Sequence, residues 1–182
     1  MSALIPVWDP LVRLLHWTLA GAIATAWTST LDVGVPAAWH EPAGYTALAC
    51  VTTRLLWGAA GGRHARFASF VRGPRTTWRY ALQVVQGTAP RHLGHNPLGG
   101  WMVVVLLLTV VGIALTGWLQ TTDRYWGSEP LELVHTTLAW ALLGLVALHV
   151  AGVVVTGRHQ RENLVKAMVD GRKMPASGRD ID

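Results

Sequence analysis

Four stretches of the chain are almost continuously apolar: residues 11–31, 40–60, 99–120 and 133–156. Each reaches the ~20 residues that a helix needs to cross the hydrocarbon core of a bilayer. None alternates polar and apolar with period two, and in lipid an isolated strand leaves its backbone groups unsatisfied, so each is expected to be a helix. Two shorter segments have a different pattern. "TTWRYALQVVQG" sets Trp78, Leu82 and Val85 at helical spacing, with Arg75 and Arg79 on another side. That predicts a short helix lying on the membrane surface. "RENLVKAMVDGRK" has the same look and ends at Gly171. The pattern therefore predicts an all-α protein: one integral membrane four-helix bundle over residues 1–182, with short interfacial helices. No internal repeat is visible.

Charge turns this pattern into a topology. Of the 15 Lys and Arg, Arg63, Arg66, Arg72, Arg75, Arg79 and Arg91 lie between the second and third spans. Arg158, Arg161, Lys166, Arg172, Lys173 and Arg179 follow the fourth. The loop between spans one and two has none, and the loop between three and four has only Arg124. Cationic loops stay cytoplasmic, so both termini and the second loop are expected there. The net charge of +5 is accounted for by sidedness and leaves no patch for nucleic acid. Composition agrees: 14% of residues are charged, against about a quarter in typical soluble proteins. The 10 Trp suit membrane–water boundaries. The first apolar run has no convincing cleavage site, so it is expected to stay as a span. Cys50 is the only cysteine, which excludes an internal disulfide, and no C-x-x-C-H occurs, which excludes covalent c-type haem. Cys50 lies in an apolar run and is expected to be a small packing residue.

Histidine is the polar residue that stands out inside the spans. His16 lies near the start of the first, His40 opens the second, and His135 and His149 share the fourth. Fourteen helical steps bring His149 back to within about 40° of His135, with a rise of ~21 Å. The topology sorts the four by depth. His40 and His135 share the outer level, His16 and His149 the inner one. Two imidazoles from two helices at one level suit the two axial positions of a b-type haem, so one helix is a candidate to supply a ligand to each of two haems. A lone membrane histidine is more often an interhelical hydrogen bond. Zinc would need three or four donors at one point, which two per level fit poorly.

These residues also carry a resemblance. "VWDPLVRLLHW", "HEPAGY" followed by "RLLWG", "ARFASFVRGP", "GHNPLGGWMV", "RENLVKAMVDGRK" and the His135–His149 pair resemble, in order, the bacterial cytochrome b561 family. The likeness is to the group similar to the cytochrome b subunits of nickel–iron hydrogenases, and it covers nearly the whole chain. It implies a multi-pass cytochrome of the bacterial inner membrane. Two non-covalent b haems would be held by His16, His40, His135 and His149. Electrons would pass between quinone and a periplasmic cytochrome c or oxidoreductase subunit. Family members also include superoxide oxidases and hydrogenase subunits. The outer loop "TTDRYWGSEP" is short, which limits a docking surface.

Other residues leave their roles open. His95 could meet a haem propionate or a quinone, or serve a local contact where Asn96 and Pro97 start a helix. Arg54 lies fourteen residues after His40, and Arg13 lies one turn before His16. Each could reach lipid phosphate or pair with a propionate. His64, His92 and His159 sit in basic segments and are expected to be solvated. Three function classes follow: an electron carrier, a superoxide oxidase that reduces quinone, and a haem-free transporter or anchor. The outer side carries Asp32, Glu41, Asp123, Glu129 and Glu132 against Arg124 alone, which would repel superoxide and suit a basic cytochrome c.

Overall fold

The computed structural model describes residues 4–31, 33–175 and 180, so Asp32 and Arg179 lie outside the described residues. The chain is mostly helical, at 71%. In order come β1 (Ile5–Pro6), α1 (Pro10–Thr28), a single 3-10 turn (Ala37–Trp39), α2 (His40–Ala60), α3 (Phe67–Phe70), α4 (Pro74–Val85), α5 (Pro97–Gln120), α6 (Glu129–Gln160), α7 (Leu164–Asp170) and β2 (Arg172–Lys173). The two-residue strands pair antiparallel, Ile5 with Lys173 and Pro6 with Arg172.

Local chemistry sets the helix ends. Asp9 caps α1, its Oδ1 accepting from the Leu11 and Val12 amides at 2.9 and 3.2 Å, with Pro10 entering the first turn. The helix stops at Thr28, three residues before the end of the apolar run. There the Thr28, Ser29 and Thr30 hydroxyls donate to the Ala24, Ala26 and Trp27 carbonyls and compete with the backbone ladder. Asn96 caps α5 through the Gly99 amide at 2.7 Å, just before Pro97. α6 runs past both ends of its apolar stretch. Its first turn carries Glu129 and Glu132 and its last Arg158 and His159, which suit the helix dipole at each end. α7 ends at Gly171, whose φ of 81° is the left-handed conformation that glycine adopts most easily.

Among the described residues two helices are long and apolar enough to cross a membrane, α5 and α6. Little of either is buried within the chain, and large residues such as Leu108 and Leu148 are about three-fifths exposed. An apolar surface of that kind is one that lipid covers. α1 and α2 carry more polar residues along their length.

The chain forms two compact units. One comprises Leu14–Leu55 and Val105–Val146. Its core includes a stripe along α2, where Ala43, Ala47, Cys50, Val51 and Arg54 are buried at steps of three and four, with Leu107, Val110 and Leu142. The other comprises the chain through Arg13, Leu56–Val104 and the chain from Ala147 onward. Its core includes Ala65, Phe70, Tyr80, Leu93 and Ala167. A charged clasp closes it. The Glu162 carboxylate lies 3.3 Å from Arg91 and 3.6 Å from Lys173, and Arg91 also pairs with Asp180. Lys173 is buried and donates to the Leu93 carbonyl at 3.0 Å. Burial pushes its amine down from the usual lysine value, against Glu162, which holds it up.

Candidate functional site

A carbonyl oxygen can only accept a hydrogen bond, and this fixes the state of two imidazoles in the first of these units. His40 opens α2, and its Nδ1 lies 2.9 Å from the Ala26 carbonyl and 3.3 Å from the Ser29 hydroxyl of the chain at the end of α1. His135 lies in α6, and its Nδ1 is 3.1 Å from both the Ile113 carbonyl and the Thr116 hydroxyl of α5. Nδ1 therefore donates in both rings, and in the neutral form of each Nε2 keeps its lone pair. The two anchors follow one plan. Each is a helix carbonyl and a hydroxyl three residues on; Ser29 donates to that same carbonyl at 2.8 Å, whereas Thr116 has the Gly112 carbonyl at 2.8 Å as well as Ile113 at 3.0 Å.

The two rings are neighbours in an edge-on arrangement, with centroids 6.1 Å apart and planes at 63°. Two imidazoles that share one metal at about 2.0 Å per bond place their centroids about 6 Å apart, so the spacing matches a pair of axial ligands. Among the described residues no three His, Cys, Asp or Glu gather as a metal cluster, which argues against a closed zinc site. A donor set of two neutral imidazoles with both Nε2 atoms available fits haem b, whose macrocycle supplies the other four donors. Gly117 adds a steric condition. A Cβ there would stand 3.1 Å from His135 Cε1, inside comfortable contact.

The other expected residues are placed individually. His16 is half-buried in α1, its ring edge-on to Trp17 at 5.0 Å. His149 is half-buried in α6. It continues the less exposed positions His135, Leu138, Ala139, Leu142, Leu145 and Val146 at steps of three and four. His16 and His149 belong to different units, and their pairing is taken up below as a proposal. Arg54 is 7% exposed and falls on the buried stripe of α2 that begins at His40, which favours an interior partner over lipid phosphate. The Arg13 guanidinium donates to the Val169 carbonyl at the end of α7, a use the sequence did not suggest.

Three further histidines divide. His159 is exposed, as expected. His64 and His92 are not the solvated residues that their basic neighbours suggested, because tertiary packing half-buries both. They line a cavity of about 200 Å³ with His95, Arg63 and Arg72. His95 packs on Trp8 at 4.7 Å and on Phe70 at 4.4 Å. His92 stands edge-on to Tyr80 at 5.1 Å, and burial pushes its pKa below the usual histidine value. Sequence reasoning also missed Ser29 and Thr116. The available signal was a hydroxyl near a span end, which is too common to single out either.

Residues 7–171 match the family model described as prokaryotic cytochrome b561. No curated protein matches the chain.

Proposed function

The chain belongs to the prokaryotic cytochrome b561 family, whose members are membrane b-type cytochromes of electron transfer, and from that premise we propose a dihaem carrier between quinone and a periplasmic redox partner. It crosses the bacterial inner membrane four times, along α1, α2, α5 and α6, with both termini in the cytoplasm. His40 and His135 hold the outer haem, and His16 and His149 hold the inner one. The observation that carries this reading is the His40–His135 pair, 6.1 Å apart with both Nδ1 atoms donating.

Haem iron, when bound, supplies one-electron redox chemistry. The chain's own residues orient and insulate it. Ala26, Ser29, Ile113 and Thr116 fix two imidazole planes and keep both rings in one tautomer. Gly117 keeps the space beside His135 open. The apolar faces of the spans exclude water. Arg54 faces the interior and can hold a propionate of the inner haem. His95, wedged between Trp8 and Phe70, can contact a propionate or a quinone, whereas Arg13 is already engaged at α7. No side chain need act as nucleophile or acid, except where proton exchange at quinone uses His95 or a water.

A superoxide oxidase is the less supported alternative, because Glu41, Asp123, Glu129 and Glu132 are all exposed near the outer pair's loops and repel an anion. The deciding experiment is a reduced-minus-oxidised spectrum of the purified protein with haem counted per chain. Two low-spin b haems are expected. His40→Ala and His135→Ala should each remove the same haem, and His16→Ala and His149→Ala the other. Depletion of one common haem by His40→Ala and His149→Ala would overturn the pairing.

A further inference from the structure

The cavity on the loop side of α5 has a chemistry that haem ligation does not use. Arg63, Arg72, His64, His92, His95 and Ser69 line it, and no carboxylate is among its described lining residues. Arg63 and Arg72 are permanently charged at any physiological pH. Ser69 donates to the Arg66 carbonyl at 2.6 Å, so its proton is committed there and the two guanidinium groups are the charged donors for an anion. The floor is firm. Phe70 and Pro97 are buried, and Trp101 Nε1 donates to the Arg72 carbonyl at 2.9 Å, tying the loop to the start of α5. Such a notch selects an anion small enough for about 200 Å³.

The position of the notch narrows the choice. α4 follows Arg72 directly, and its Tyr80 is buried against His92 on the cavity wall. Trp78, Leu82 and Val85 project on the opposite side of the helix, 69%, 44% and 87% exposed, with Arg75 and Arg79 beside them. An apolar helix face rimmed by arginine is the arrangement of a helix seated in the headgroup region. The start of α5 at Pro97, which lines the notch, and the Trp101–Arg72 hydrogen bond set the notch at the end of a membrane-crossing helix, close to the depth of lipid phosphates. Guanidinium pairs recognise phosphate oxygens by charge and by bidentate geometry.

We propose that this notch binds the phosphate group of an anionic phospholipid, with Arg63 and Arg72 as the charge-bearing contacts. The site needs the chain to be membrane-embedded but does not depend on the number of haems or on the redox partner.

The test uses the full chain in nanodiscs of phosphatidylcholine containing a minor share of phosphatidylglycerol, with retained lipid counted by native mass spectrometry. One phosphatidylglycerol per chain should resist exchange. Arg63→Gln with Arg72→Gln should cut that retention about tenfold or more, the loss expected for charged hydrogen bonds, while Arg158→Gln with Arg161→Gln leaves it intact. Arg72→Gln alone serves if the double variant does not fold by circular dichroism. Equal retention in all variants overturns the proposal, as does equal loss in both pairs, which would mean diffuse surface attraction. Displacement of the lipid by millimolar inorganic phosphate would assign the notch to a soluble phosphate instead. Loss of haem absorbance with lipid retention unchanged would assign it to a haem propionate. The haem spectrum of the variants reads the electron-transfer proposal separately, so the two can fail independently.

Discussion

An imidazole has one proton to place when neutral, and whatever its first nitrogen touches decides what its second can do. At His40 and His135 that contact is a helix carbonyl backed by a hydroxyl. The carbonyl alone sets the tautomer, and the hydroxyl narrows the ring's rotation. Ser29→Ala and Thr116→Val should therefore each weaken haem affinity of the outer pair by about tenfold, the lower end for loss of a partner behind a metal ligand. Haem titration into haem-free protein measures this. Unchanged affinity would confine both hydroxyls to capping their own helices. The histidines themselves were legible because a polar ring inside an apolar run interrupts the pattern. Their anchors were not, because serine and threonine inside helices commonly bond their own backbone. His64 and His92 were misread for a related reason. Arginine neighbours in sequence say nothing about the Tyr80 ring or the cavity wall that fold against them.

At the scale of elements, the apolar periodicity located α2 to the residue and α5 to within two. It overran the end of α1, because the hydroxyls of Thr28, Ser29 and Thr30 stop a helix that hydrophobicity would continue. The β1–β2 ladder and the Glu162 clasp had no sequence signal, since each joins segments far apart in the chain. α4 was visible as an amphipathic segment, and its docking through Tyr80 onto His92 gives a pH dependence. Burial, assisted by the Arg72 and Lys173 charges, holds His92 below its ordinary value of 6.5, although the Pro90 carbonyl partly opposes this. The unfolded state then binds the proton more readily. The stabilisation from this contact is present above the ordinary value and is lost as pH falls through the lower, folded one. Amide protection factors along α4, which remove the intrinsic pH dependence of exchange, should fall on acidification below pH 6.5. His92→Gln should flatten that acid response, and a variant as acid-sensitive as the parent would place its origin elsewhere.

Across the whole molecule, the proposed topology rests on where lysine and arginine fall along the sequence, a rule that needs no knowledge of packing. The carboxylates of the proposed outer side have a local reason too. Glu41 opens α2, and Glu129 and Glu132 open α6, where the helix dipole favours negative charge. With Asp123 they leave a face on which Arg124 is the lone described cation between α5 and α6. A basic cytochrome c should bind there with affinity that falls as salt rises through the physiological range, because exposed charges are screened over about 8 Å at 0.15 M. Salt-independent binding in a titration series would exclude an electrostatic docking face.

The carbonyl anchors of His40 and His135 have one more effect if the pair holds iron. A redox centre moves charge slowly when its ligands must swing or trade protons each time the metal changes valence. Here each ring is tethered at Nδ1 to the backbone of a neighbouring helix. The rings then have little room to rearrange, and the time an electron spends in transit is set by distance and driving force rather than by the motion of the protein that carries it.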